Sequence, residues 1–168
     1  YWEILPDPAI ILKHTLTYMP FFGWFAVKLG NISVNRKKGA SALKGMMRDA
    51  ARRAGENRQI LIFPEGTRTR PNTPPRFQRG AANIALRADC RLTPVRIRCT
   101  PTTLTKAEPW YRIPPRRFLI HLQVGEDIEL GPFLDDGVTP MAVRRLTHYL
   151  EQRFTQETDE HERQPGTG

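Results

Sequence analysis

Glu65, Gly66, Thr67 and Arg68 follow directly on Phe63-Pro64 and the apolar run Gln59-Ile60-Leu61-Ile62. Such a run, closed by a proline, reads as a short buried strand. A glycine at a strand end lets backbone amides approach a ligand closely. Thr67 adds a hydroxyl, and Arg68 offers a planar fork of donors that matches a phosphate monoester. Glu65 can orient that guanidinium or accept hydrogen bonds from a polyol. The chemistry indicated is the binding of a small phosphorylated molecule. The same residues also make an ordinary polar loop in which Glu65 and Arg68 pair on the surface for little stability. Taken by themselves they leave both readings open.

The elements that must position this loop alternate strand and helix. Residues 9–12 read as a strand, 20–29 as a short helix after Pro20, and 32–34 as a second strand. From about Ala40 to Ala54, the residues Leu43, Met46, Met47, Ala50, Ala51 and Ala54 form the apolar face of a basic helix. Residues 59–63 form the strand that carries the motif. Pro71, Pro74 and Pro75 make a stiff loop, and 80–88 read as a small-residue helix able to pack close to a sheet. Residues 92–99 are the next strand, with Val95 and Ile97 on one face and Arg96 and Arg98 on the other. In 118–124, Phe118, Ile120, Leu122 and Val124 share one face and His121 takes the other. Thr139-Pro140 is a helix start, and Val143, Leu146, Leu150 and Phe154 form that helix's apolar face. The order predicts an α/β fold, a mixed central sheet flanked by helices, in one domain over residues 1–154. The polar stretch 155–168 is expected to be a disordered tail.

Phe63-Pro64-Glu65-Gly66-Thr67-Arg68 resembles the third block of the glycerolipid acyltransferase family, which includes the bacterial 1-acylglycerol-3-phosphate acyltransferases. Gly30-Asn31-Ile32-Ser33-Val34-Asn35-Arg36 resembles its second block, although Asn35 stands where the family usually has Asp. Ile11-Leu12-Lys13 and Pro20-Phe21-Phe22-Gly23-Trp24 look like the stretch leading into that block, and Thr93-Pro94-Val95 like the fourth. The likeness covers roughly residues 6–130, with the blocks in order. It implies transfer of a fatty acyl group from coenzyme A or acyl carrier protein to a lysophospholipid hydroxyl, such as 1-acylglycerol-3-phosphate giving phosphatidic acid. It also implies an acceptor site on Arg36, Phe63, Pro64, Glu65, Gly66, Thr67 and Arg68. No cofactor or metal is implied, since the acyl donor is itself a substrate.

The family's catalytic pair is a His and an acid in an H-x4-D block, the imidazole taking the acceptor's proton while the carboxylate steadies the ring. This chain departs there. Met19, Arg153 and Gly166 stand five positions after His14, His148 and His161. His121 does precede Glu126 at that spacing, but it lies after the third block. On an extended strand the two would face opposite sides about 17 Å apart. Tyr1-Trp2-Glu3 resembles the end of a variant block, His-Gln-Ser-x-Trp-Glu. Under that likeness Glu3 is the acidic partner, and its His would lie before Tyr1. A solvated terminal carboxylate is the alternative reading of Glu3. Either way, the 168 residues alone are expected to transfer no acyl group.

Composition fits a protein at the cytoplasmic face of a membrane, peripheral or anchored through a preceding segment. Net charge is +9 with a pI near 10.2, and no apolar run is long enough to span a bilayer. Cys90 and Cys99 make no disulfide framework and no metal cluster, and both read as structural thiols. Lys44, Arg48 and Arg52 recur at spacing four as a basic stripe, either a solvated face or a surface for membrane or carrier protein. Phe21, Phe22, Trp24 and Phe25 pack in the core or lie at headgroup level. Arg76, Gln78 and Arg79 lead into the helix at Gly80, where they either add to an anion site or are simply solvated. The alternative overall function is a basic module binding anionic lipid or nucleic acid without chemistry. Against nucleic acid, there is no zinc spacing and no RNP-like aromatic pattern.

Overall fold

A computed structural model describes residues 7–162 apart from positions 36, 38, 69–72, 89, 104, 107, 110, 112, 113, 115 and 136, with the side chains of the last helix described as far as residue 156. The chain forms two compact units: Tyr1–Phe63 with Gly80–Cys90, and Pro64–Arg79 with Arg91–Gly168.

The first unit is built on a parallel sheet. Its strands are β1 (Ala9–Lys13), β2 (Ile32–Val34) and β3 (Ile60–Leu61), in the order β2-β1-β3. Ile11 pairs with Ile32, and Ala9 with Ile60. A 3-10 turn (His14–Tyr18) and helix α1 (Phe22–Lys28) join β1 to β2. Helix α2 (Gly39–Gly55) crosses from β2 to β3, and α3 is Gly80–Arg87. The apolar periodicity of α2 places Met46 and Ala50 on its buried stripe, where they meet Ile32, Val34 and Ile84. Small residues bring α3 close: the Met46 ε-methyl lies 3.0 Å from where a side chain on Gly80 would begin.

Arg58 ties the far side of this unit together. It pairs with Asp7 at 2.9 Å and donates to the carbonyls of Leu29 at 2.9 Å and Pro8 at 3.3 Å. Asn31 Oδ1 accepts the Ile10 amide at 2.9 Å, which fastens the loop before β2 to β1.

In the second unit β4 (Val95–Thr100) and β5 (Leu119–Val124) pair antiparallel, with Arg98 opposite His121. Helix α4 (Pro140–Glu162) begins at Thr139, whose hydroxyl accepts the Ala142 amide at 3.1 Å. Val143, Leu146 and Leu150 are buried along its inner face as the periodicity required.

The α/β class holds, with its strands in two sheets, one parallel and one antiparallel. Alternation on β4 and β5 left open which face is covered, and the disorder expected beyond Thr155 is corrected. On β4, Ile97 is 55 % exposed while Arg96 is half-buried. Arg96 donates to the Phe154 carbonyl at 2.8 Å and its guanidinium lies 5.6 Å from the Phe154 ring centre, so an arginine takes the inward place. The apolar row of Phe118 and of Ile120, Leu122 and Val124 on β5 is exposed. Helix α4 also runs past Thr155 to Glu162, into the stretch expected to be disordered. Gln156, Glu157, Glu160 and Glu162 are good helix formers, and extending an existing helix needs no new nucleus.

Candidate functional site

Because β1, β2 and β3 are parallel, the residues that follow each of them leave from one edge of the sheet. Those residues are His14 after β1, Asn35 after β2, and Ile62-Phe63 after β3. The carboxyl edge is where open α/β sheets bind ligands. Glu3 and Arg36, the two expected site residues nearest the N-terminus, lie outside the described residues, as do Thr69 and Arg70.

β3 is shorter than its apolar run implied, ending before an exposed Phe63. Pro64 and Glu65 form a turn, and Gly66 follows in the left-handed region at φ 64°, a conformation that favours glycine. The Pro64 carbonyl accepts the Gln78 amide at 2.8 Å, closing the loop on itself. Thr67 and Arg68 are exposed. Arg68 Nη1 donates to the main-chain carbonyl of Glu108 at 2.8 Å. Glu108 is set in turn by Thr105, whose amide and hydroxyl reach its Oε2 at 3.0 and 3.2 Å. One arm of the guanidinium is thus fixed by a carbonyl, and the exposed remainder can meet an oxyanion. Glu108 was not legible in the sequence, because a main-chain acceptor carries no side-chain signal.

His14 is also more constrained than its sequence context indicated. Its Nδ1 lies 2.8 Å from Ser33 Oγ and its Nε2 2.9 Å from Tyr18 Oη. The Tyr18 ring stands edge-on at 5.0 Å between centroids. In the neutral imidazole one nitrogen donates and the other accepts, so the three form a relay of hydroxyl, ring and phenol. Both partners are hydroxyls, not the carboxylate of the family's pair. The spacing of four between His14 and Tyr18 was the only available hint. His121 is exposed, as is every residue of β5.

The aromatic segment stays out of the core. Phe21 is 90 % exposed, Trp24 61 % and Phe25 60 %, and Tyr18, Val27 and Leu29 are exposed with them. Lys28 Nζ lies 4.3 Å from the Trp24 ring centre. Residues 8–48 contain seven Lys and Arg and no Asp or Glu. Core packing is therefore excluded for most of these rings, and their setting is cationic. The α2 stripe of Lys44, Arg48 and Arg52 is solvated, with Arg48 and Asp49 paired at 3.6 Å. Both cysteines are half-buried, and Cys90 Sγ donates to the Ala88 carbonyl at 3.2 Å.

The model of the acyltransferase family matches residues 1–98, more than half of the chain. The chain belongs to the acyltransferase family. It is 34 % identical over 85 residues to the 1-acyl-sn-glycerol-3-phosphate acyltransferase of Pseudomonas aeruginosa, covering 51 % of this chain and 33 % of that one. Against the enzyme of the same name from Borreliella burgdorferi it is 36 % identical over 87 residues, 52 % of this chain and 34 % of that. The alpha form from Mus musculus matches at 27 % over 145 residues, 86 % of this chain and 48 % of the relative. The matched regions span between about a third and a half of these relatives. Among solved structures, the 1-acyl-sn-glycerophosphate acyltransferase PlsC from Thermotoga maritima shares the fold with a TM-score of 0.58. That match has 21 % identity and covers 91 % of this chain and 57 % of that one.

Proposed function

We propose that this acyltransferase moves a fatty acyl group from acyl-CoA or acyl carrier protein to the free hydroxyl of a lysophospholipid, 1-acylglycerol-3-phosphate being the acceptor and phosphatidic acid the product. The observation that carries this reading is Arg68, aimed by the Glu108 carbonyl and exposed beside Thr67 and the left-handed Gly66. A guanidinium held at one arm keeps its planar fork in a fixed orientation for the acceptor's phosphate. Glu65 sits in the turn next to it, and a carboxylate there could accept hydrogen bonds from the polyol part of such a headgroup. Relatives named as 1-acyl-sn-glycerol-3-phosphate acyltransferases support the choice of acceptor.

The proton from the acceptor hydroxyl needs a base, and no His of this chain has the family's spacing to an acid except His121. That residue lies on β5, where on an extended strand a residue five positions on faces the opposite side. The 168 residues alone are therefore expected to bind acceptor without turning it over. Reaction takes place at a membrane surface, supported by the exposed rings of α1 in a stretch without acidic side chains. No helix among the described residues is long and apolar enough to cross a membrane.

Calorimetric titration with 1-acylglycerol-3-phosphate below its micellar range tests the assignment. Saturable binding that weakens by at least about tenfold in Arg68→Ala is expected, the size of a lost charge-assisted hydrogen bond. Binding that survives Arg68→Ala unchanged would place the acceptor elsewhere.

A further inference from the structure

Met141, Arg144, Arg145 and His148 recur at helical spacing on one side of α4. Facing them, the extended segment before α3 contributes Arg76, Phe77 and Arg79. Between the two lies a groove of about 540 Å³, within the size range of small-molecule sites. Every residue lining it belongs to the second unit, and Glu65, Gly66, Thr67 and Arg68 are not among them.

The charge around this groove has one dominant sign. Four guanidiniums and an imidazole face a single carboxylate, that of Glu151. Glu151 is already engaged within the fold, since its Oε1 accepts the Phe77 amide at 2.7 Å and so pins the loop to the helix. His148 Nδ1 stands 4.0 Å from the other oxygen. Arg145 reaches the Phe133 carbonyl at only 3.5 Å, and Arg144 and Arg145 are both exposed. Two apolar side chains, Phe77 and Met141, also line the groove. Phe77 packs edge-on against Phe154 with 5.4 Å between ring centres. Convergent guanidiniums beside an aromatic ring suit a ligand with a phosphate at one end and a flat ring at the other.

We infer that this groove binds an organic phosphate of nucleotide type, and that its ligand is the adenosine bisphosphate end of a coenzyme A thioester. The choice of coenzyme A rests on the acyl-transfer reading above; the nucleotide-phosphate site itself does not. A concave site with an aromatic ring in its lining fits a small molecule better than the flat, acidic face of a carrier protein.

Titration of the purified protein with adenosine 3′,5′-bisphosphate tests the site directly. Saturable binding is expected, weakened at least about tenfold by joint Arg144→Gln and Arg145→Gln with the circular dichroism unchanged. Arg76→Gln, on the opposite wall, is a second variant expected to weaken it in the same direction. Arg68→Ala, at the proposed acceptor loop, leaves bisphosphate binding intact. No saturable binding, or equal binding by all the groove variants, overturns the site. Inorganic phosphate binding as tightly as the bisphosphate overturns the nucleotide class in favour of a bare anion site. Carrier protein that binds through Arg144 and Arg145 while the bisphosphate does not overturns it in favour of protein docking. Bisphosphate binding as expected that an excess of coenzyme A does not displace leaves the groove standing and removes the coenzyme A assignment.

Discussion

Arg68 donates from Nη1 to the carbonyl of Glu108, forty positions along the chain, at 2.8 Å. An ammonium in its place could satisfy the carbonyl or an incoming phosphate but not both in fixed geometry. Arg68→Lys is therefore expected to keep the fold and lose about tenfold or more in acceptor affinity. Thr105→Ala, which removes the hydroxyl donor to the Glu108 carboxylate, is expected to weaken acceptor binding by a smaller factor. Titration of both variants, with melting curves as the control for folding, checks the order of the two effects.

Gly23 tolerates no side chain. A β-carbon there would sit 2.0 Å from the Thr17 carbonyl oxygen, a backbone atom that cannot swing aside. Gly23→Ala must push α1 off the preceding turn, and we expect a loss of about 3 kcal/mol or more, at the upper end for overpacking. Chemical denaturation compared with Gly55→Ala, where no atom lies within 4 Å, measures it.

Arg58 joins three parts of its unit through one guanidinium, and its side chain is only 11 % exposed. Arg58→Ala leaves the Leu29 and Pro8 carbonyls without this donor, and a loss of about 2–4 kcal/mol is expected. Arg58→Lys recovers the charge but not the fan of donors, so its melting temperature should fall between those of the wild type and Arg58→Ala.

Acid sensitivity is expected at Glu56. The hydrogen bond from Arg53 leads in lowering its pKa below the ordinary carboxylate value, with the charges of Arg53, Arg52 and Arg58 adding to it. A depressed carboxylate contributes stability above its unfolded pKa and loses it as the pH falls through the folded value. Glu56→Gln should therefore lie below the wild type in melting temperature at neutral pH and converge on it in acid. The pair lies at the surface, where water screens it, so the difference is small.

Vesicle binding tests the aromatic surface. Trp24 and Phe25 to Ser is expected to reduce co-sedimentation with anionic vesicles, while neutral vesicles bind weakly in both forms. In the wild type, Trp24 fluorescence should shift to the blue on binding. An unshifted spectrum with anionic vesicles would remove the membrane role from this face.

The elements on which the motif depends were legible because their signals are local. The period of α2, the Thr139-Pro140 start of α4 and the run before Pro64 each follow from a few neighbouring residues. The places where reading failed depend on distant partners. Arg96 turns inward because Phe154, 58 positions away, supplies a carbonyl and a ring. The exposure of β5 and of α1 likewise depends on what covers a face, which alternation alone does not state. At the site, the sequence showed the glycine and the guanidinium but not the Glu108 carbonyl that aims it.

Phe77 and Gln78 are adjacent, and their amides point to different partners. One is held by Glu151 on α4 at 2.7 Å, the other by the carbonyl of Pro64 at 2.8 Å. Two successive amides therefore work as a coupling rod between the helix that walls the basic groove and the turn that opens the motif. A displacement of α4 at Glu151 would reach the Pro64–Glu65 turn through two adjacent peptide units.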